Sequence, residues 1–461
     1  MCATAATPHQ QEIAELVDAE MERWEVPGLA LGVLHDGRSE AWGFGVTSIE
    51  TRQPVTADTL FQIGSISKLF TATLAMQLVE AEKLDLDAPV SAYLPELRLA
   101  DAAAQGSVSL RHLLTHTAGF YGDRFDDFGL GDDALAKAVA TFDQLRQYTA
   151  PGELWSYCNT GFQLAGRLVE QLSGQTFETA ARERLFAPLG LERCTYFAHE
   201  AIIYPAAIGH VKPSGQENQI ARPYPIPRTM NAAGGIIGTV GDLLRFAAFH
   251  MGLLGQGEAN GVLRPATVQA MQQPQVEAAL AAHWGLGWQM DAIDGVAVIG
   301  HGGATNGFQA RLAFVPERGF ALAILTNSGQ GSAAYRPLEE ALLERYLGLH
   351  KQEPPAITLP AEVLARYAGA YARPLSRFML TPENGGLRVE MMARNPFSGA
   401  ETALPAYHAE PIGERKFRIT GGALAGSTFD FILRPDGAVR FLRFGGRVTD
   451  PAPYPPAPFP Q

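Results

Sequence analysis

Ser65 and Lys68 stand three residues apart in Phe61-Gln-Ile-Gly-Ser-Ile-Ser-Lys-Leu-Phe70, the spacing of a nucleophile with a base beside it. Residues three apart on a helix face the same side, so the lysine amine is expected next to the serine hydroxyl. A buried lysine can lose its proton near neutral pH and accept one from serine; arginine stays charged and cannot. Gly64 suits a turn just ahead. Ser65 in the first helical turn would place developing negative charge at the positive end of the helix dipole. Only six of the 36 Lys and Arg residues are lysines. By itself the pair also reads as a helix-capping serine followed by a lysine whose stem lies along apolar surface.

Two further segments supply what a serine–lysine pair needs. Trp155-Ser-Tyr-Cys-Asn-Thr160 precedes a helical pattern from Gly161. The Tyr157 phenol could relay a proton to a leaving group, and the Asn159 amide could orient a substrate carbonyl or the lysine. The plain alternative is that Asn159 or Thr160 caps the helix and Tyr157 packs. Ile299-Gly-His-Gly-Gly-Ala304 lies where one strand ends and leads into the next. Its glycines would let a ligand approach the backbone, and an N–H there, paired with that of Ser65, would form an oxyanion hole. A glycine-rich hairpin turn with a surface histidine is the alternative. Asn231-Ala-Ala-Gly-Gly-Ile236 reads as a wall of the site. His112 and His116, four apart, are read as packing or capping residues, because a zinc site would need further ligands. Asp126, Asp127, Asp132 and Asp133 read as a solvated acidic stretch.

These segments must be held by a large scaffold. The chain has 461 residues, 46% hydrophobic and 18% charged, which describes a globular protein of two or three domains. The net charge of −12, without a basic cluster, argues against nucleic acid or an anionic membrane as partner. Cys2, Cys158 and Cys194 are too far apart and too few for a disulfide framework or zinc site. No window is long and apolar enough to span a bilayer, and the first residues lack the basic and apolar regions of an export signal. A cytoplasmic location is therefore expected, with an exported precursor left open.

An amphipathic helix with Ile13, Leu16, Val17, Met21 and Trp24 on one face comes first. A hairpin follows, Gly28–Leu34 and Glu40–Val46 about an Asp36-Gly37 turn. A buried helix runs from Ser65, with Phe70, Leu74 and Leu78 on one face. Helices are then expected at Leu110–Thr115, Asp133–Tyr148, Gly161–Ser173 and Thr176–Leu185. Ile202–Pro227 reads as an irregular excursion, and Val240–Leu253 as a helix. Strands return at Val296–Ile299, Phe308–Val315 and Phe320–Thr326, before a helix at Tyr335–Leu347. The economical architecture for residues 1–350 is an α/β antiparallel sheet flanked by terminal helices, with a helical lobe at about 70–200. Residues 351–355 read as a linker. Short strands over 356–461, with turns at Asn384-Gly-Gly386 and Asp436-Gly437, read as a small β-barrel or sandwich whose proline-rich end frays from Asp450.

Jointly, Ser65-Ile-Ser-Lys68, Tyr157-Cys-Asn159 and His301-Gly-Gly303 resemble the serine penicillin-recognising family: class C β-lactamases, DD-peptidases, D-aminopeptidases and related esterases. Leu113-Leu-Thr-His-Thr-Ala-Gly119, Pro151-Gly152, Phe186-Ala-Pro-Leu-Gly-Leu191, Ala233-Gly-Gly235 and Trp284-Gly-Leu-Gly-Trp288 match as well. The likeness covers roughly residues 10–350. It implies a metal-free serine hydrolase with no cofactor, acting through an acyl-enzyme on a small ester, amide or peptide. Ser65 would be the nucleophile, and Lys68 and Tyr157 the acid–base groups, with the first proton acceptor left open. Asn159, His301, Gly302, Gly303 and Ala304 would contact substrate, and the N–H groups of Ser65 and Ala304 would form the oxyanion hole. One departure stands out. His301-Gly302-Gly303 replaces the Lys-Thr-Gly of β-lactamases, and a histidine is only partly charged near pH 7. That favours an esterase or a D-aminopeptidase-like peptidase, with at most weak β-lactamase activity. The rival is a non-catalytic penicillin-binding receptor or scaffold. The C-terminal barrel resembles the lipocalin-like appendages of some of these peptidases, whose loops can reach the active site. The sequence leaves the oligomeric state open.

Overall fold

The computed structural model describes residues 8–213, 215–255, 261–396 and 399–453. Helix α1 (Pro8–Trp24) leads into a hairpin of β1 (Gly28–His35) and β2 (Arg38–Gly45). Asp36 and Gly37 both take positive φ, 50° and 72°, as a two-residue turn between right-twisted strands requires. The helices α2 (Ser67–Glu80), α3 (Asn159–Ser173) and α4 (Val240–His250) follow. Strands then return as β3 (Val276–Glu277), β4 (His283–Trp284), β5 (Gln289–Ile293), β6 (Val296–Thr305), β7 (Phe308–Val315) and β8 (Phe320–Thr326), before α5 (Gly331–Leu347). All eight strands form one antiparallel sheet in the order β2-β1-β8-β7-β6-β5-β4-β3. The chain thus builds its sheet from both ends, as expected.

Period-two alternation assigns the two faces. Leu29, Leu31 and Val33 join Ile13, Val17, Leu338 and Leu342 beneath α1 and α5. Ala30 joins the larger core on the other face. On that face a Cβ on Gly32 would come within 2.9 Å of Leu244, so α4 packs directly on the strand. In α2, Leu69, Phe70, Ala72, Leu74 and Met76 are all buried. Phe70 stacks on Phe246 of α4 with ring centroids 3.9 Å apart. Removing a ring so placed costs about 3–5 kcal/mol.

Several expected elements shift. The helix over Asp133–Tyr148 is only Ala134–Val139 with a 3-10 turn at Phe142–Gln144. Thr141 returns its hydroxyl to the Ala138 carbonyl at 2.7 Å, and Tyr148 N–H bonds Gly119, so the chain leaves the helix to run beside Gly119–Tyr121. The helix over Val240–Leu253 ends at His250. Ile202–Pro227 is largely irregular apart from short pairing of His210–Val211 with Gln219–Ile220. Cys158 and Cys194 are buried free thiols, and Cys2 lies outside the described residues.

After α6 (Ala361–Tyr367) come β9 (Gly369–Arg373), β10 (Ser376–Glu383), β11 (Gly386–Arg394), β12 (Glu401–Ala403), β13 (Tyr407–Pro411), β14 (Lys416–Ile419), β15 (Thr428–Leu433), β16 (Val439–Phe444) and β17 (Arg447–Ala452). Eight close in the order β10-β9-β17-β16-β15-β14-β13-β11, with β11 pairing back to β10 and β12 hanging on β11. The interior is aromatic, with Tyr367 stacked on Phe431 at 4.3 Å and Phe417 on Phe429 at 5.5 Å. Asp450, expected to fray, is instead a barrel-strand residue; it pairs with Arg146 of the helical lobe, while the end from 454 lies outside the described residues. Strands β9, β12, β13 and β17 escape the sequence pattern because each is at most six residues long and carries few β-branched or large apolar residues.

Candidate active site

Ser65 occupies a 3-10 turn, Gly64–Ile66, one step before α2 begins at Ser67. This turn lies against strand β6. Gly64 has φ 53°, and a Cβ there would sit 2.5 Å from the Ala304 nitrogen; one on Gly303 would sit 1.9 Å from the Ile63 carbonyl oxygen. Any larger residue at either glycine would pry turn and strand apart. The two-residue loop Asn306–Gly307 makes Thr305 and Phe308 a hydrogen-bonded pair. By alternation the Ala304 N–H then points away from β7. It points to the side where β5 has already ended its pairing, at Gly300. The Ala304 N–H therefore points to an open edge, beside the turn that carries Ser65. The glycine-rich segment is not a hairpin turn: it lies within β6, which is longer than the expected strand.

Lys68 is 0% exposed. Its Nζ lies 3.0 Å from Ser65 Oγ and donates to the Ala233 carbonyl at 2.5 Å, so the wall read at residues 231–236 holds the amine directly. That wall is braced in turn: Asn231 donates to Glu178 at 2.7 Å, and Arg228 forks onto the same carboxylate. The Tyr157 and Phe162 rings lie 5.1 and 5.6 Å from Nζ. Burial pushes the amine well below the ordinary lysine range. The nearby charge of Arg447 adds to this, with Asp123 and Cys158 acting the other way. Burial pushes the Tyr157 phenol upward, against Ser65 and Arg447. Both shifts run toward a free amine beside an intact phenol.

Asn159 begins α3 but does not cap it; the cap is the Cys158 thiol, which accepts from Gly161 N–H at 3.2 Å. The Asn159 amide donates to Asp123 at 2.9 Å. His301 is 1% exposed and packs edge-on to Trp284 at 5.4 Å and 6.1 Å from Tyr157. Burial, then Lys68, pushes it down to about 3. The expected partial charge is thus corrected: His301 is neutral across the physiological range. Gly303 shares its face, whereas Gly302 turns to the opposite one, where a Cβ would meet the Tyr335 hydroxyl at 3.6 Å. Of the two glycines, Gly303 faces the turn that carries Ser65 and Gly302 faces away from it.

His112 and His116 do not share a helix face. His112 forms a capping box with Ser109. His116 lies beyond that helix at φ 58°, accepts from Cys158 N–H at 3.0 Å, and backs Tyr157 at 4.3 Å. The acidic stretch is exposed, as read, but its members pair: Asp126 with Arg124, Asp132 with Arg228, Asp133 with Lys137.

Sequence reasoning missed Asp123 and Arg447. Arg447 opens β17 and places its guanidinium 4.8 Å over the Tyr157 ring, with Nε 2.6 Å from Asp123. No local pattern marks it, because an arginine after a glycine turn ordinarily points into solvent; its environment belongs to a segment 290 residues earlier, at Tyr157. Among the described residues no cluster of His, Cys, Asp and Glu suits a metal ion, and no helix is long and apolar enough to cross a membrane.

A family model described as Beta-lactamase matches residues 13–347. Penicillin-binding protein 4 of Amycolatopsis lactamdurans is 38% identical over 369 residues, covering 78% of this chain and 96% of that protein. The crystal structure of SurE with D-Leu superposes with a TM-score of 0.73 at 27% identity, covering 96% of this chain and 99% of the other. A class C beta lactamase from Rhodobacter sphaeroides gives 0.61 at 25% identity, covering 73% and 99%.

Proposed function

The chain belongs to the beta-lactamase family of serine hydrolases, and from that premise we propose an acyl-enzyme hydrolase acting on amide or ester bonds of D-configured residues, with poor β-lactam turnover. The observation that carries it is the Ser65–Lys68 contact at 3.0 Å with the amine fully buried. Lys68, as a free amine, takes the Ser65 hydroxyl proton while Oγ attacks the substrate carbonyl. The N–H groups of Ser65 and Ala304 receive the oxyanion; one such donor is worth about 10²–10³ in rate. Tyr157, held as a phenol, donates to the leaving group and regains a proton from the Lys68 ammonium. Water then enters, giving its proton back along the same pair, and releases the acid.

The neutral His301 supports low β-lactam activity, since no permanent cation stands at that position to grip a substrate carboxylate. The D-configured substrate has one specific support. The SurE match extends over 96% of this chain, barrel included, and that structure holds D-leucine, whereas the class C match stops at 73%.

The test is a panel of D- and L-leucine amides, p-nitrophenyl esters and a chromogenic cephalosporin, run on the wild type and Ser65→Ala. Expected are a D-over-L preference of at least tenfold on amides, slow cephalosporin turnover, and loss of every activity in Ser65→Ala. Rapid ester hydrolysis with inert D-amides would make the protein an esterase. A penicillin adduct that never turns over would make it a receptor.

A further inference from the structure

The barrel does more than adjoin the lobe. Gly445 and Gly446, at φ 58° and 75°, form the turn between β16 and β17. The Gly446 carbonyl accepts the Tyr157 N–H at 2.8 Å, and Ser156 Oγ accepts the Val448 N–H at 3.2 Å. Arg443 donates to the Trp155 carbonyl at 3.0 Å. The segment that carries Tyr157 is therefore gripped on its outer side by one barrel turn.

Arg447 is the residue this turn delivers. Its guanidinium lies over the Tyr157 ring and pairs with Asp123, whose second oxygen holds Asn159. Apart from a bond to Gly445 of its own turn, these partners all lie outside the barrel. Sinking a cation against another domain's core is costly without full pairing, and the barrel's own packing does not require it. What the arrangement accomplishes is local: one cation braces both side chains that the reaction needs at Tyr157 and Asn159.

We propose that Arg447 is a positioning residue for the acyl-transfer site, using the Asp123 ion pair and the Tyr157 ring to hold Tyr157 and Asn159 in place and to set the charge around Lys68. The inference rests on the acyl-enzyme reading above. The groups that face Lys68 are Ser65 from its own turn, His116, Asp123, Tyr157 and Cys158 from the lobe, His301 from the sheet, and Arg447 from the barrel. Tyr121 and Arg373 also border Arg447. Among these, Arg447 and Asp123 carry opposite charges, so removing one or the other must push Lys68 in opposite directions. Without Arg447 an unpaired Asp123 favours the ammonium; without Asp123 an unpaired Arg447 favours the free amine.

The experiment measures the rate at which a neutral fluorophosphonate labels Ser65 as a function of pH, in full-length wild type, Arg447→Met, Arg447→Lys, Asp123→Asn and Ser65→Ala. A neutral probe removes any contribution from a substrate carboxylate. The acidic limb is expected to move up by about one pH unit in Arg447→Met and down in Asp123→Asn, and to stay within a few tenths in Arg447→Lys. Limbs unmoved in both charge-removing variants, or labelling lost at every pH in Arg447→Met with its melting temperature intact, would overturn the proposal. If Arg447→Met does not fold, Asp123→Asn decides by the same criterion. A wild type that labels no faster than Ser65→Ala would instead overturn the acyl-enzyme reading itself.

Discussion

Lys68 is the residue on which stability and activity pull apart. An amine with no exposed surface, held by a serine hydroxyl and a backbone carbonyl, lacks a carboxylate within hydrogen-bonding distance among the described residues. Its folded pKa lies below the unfolded value, so between the two values the unfolded chain binds the extra proton and stability rises with pH. Lys68→Met should therefore be inactive yet more stable at pH 7, by about 2–4 °C in Tm for each kcal/mol recovered. That advantage should shrink as pH climbs toward the unfolded lysine value of about 10.4. Melting curves of the two proteins from pH 6 to 10 check this; a constant difference would refute it. Lys68→Arg should fail to restore activity, falling at least ~10²-fold, because a guanidinium cannot act as a base. The contact of Ser65 with Lys68 was legible in the sequence because residue type and a three-residue spacing state it locally, whereas Tyr157 comes beside Lys68 only through the fold. The charge of His301 was not. It depends on burial beside Trp284 and on a lysine 233 positions away.

At the scale of elements, the site is a junction between one turn and one strand. The glycines of β6 read in the sequence as a place for a ligand to approach, yet their first duty is to admit another backbone. Gly303 meets the Ile63 carbonyl, and Gly64 meets Ala304. Gly303→Ala should therefore separate the two N–H groups that serve the oxyanion. We expect kcat to fall by about 10²-fold with KM changed less, since the lost contact forms fully only in the transition state. Steady-state kinetics on the best substrate of the panel measure it. An unchanged kcat would show that the N–H groups of Ser65 and Ala304 do not act together. The same scale explains the misread helix over Asp133–Tyr148. Its helical residues suffice for two turns, and then backbone pairing with Gly119 takes the chain, a tertiary preference that no local propensity contains.

At the scale of the whole molecule, two cores meet at the segment 153–157. The barrel itself was legible from closely spaced strands and glycine turns, whereas its docking was not, since the contacts join residues about 290 positions apart. Arg440 pairs with Glu153, Arg146 with Asp450, and the Tyr148 ring meets Phe441 at 6.1 Å. These rim contacts are weak singly. The central one is the close approach of Gly446, where a Cβ would lie 2.9 Å from Leu280 and 3.1 Å from the Trp155 ring, at a φ of 75°. Gly446→Val should lift the turn without touching the barrel's aromatic interior. The Tyr157 N–H would then lose its acceptor and Arg447 would leave Asp123. We expect kcat/KM to fall by tenfold or more, with Trp155 moving into a wetter environment and red-shifting the fluorescence, while the barrel's own melting transition stays within a few degrees. If activity survives with the fluorescence shifted, the lobe holds Tyr157 unaided and the barrel is catalytically dispensable. If activity falls and a charge-swapped pair, Arg146→Asp with Asp450→Arg, leaves it intact, the rim merely docks the barrel and the turn at Gly446 conveys its effect to the site.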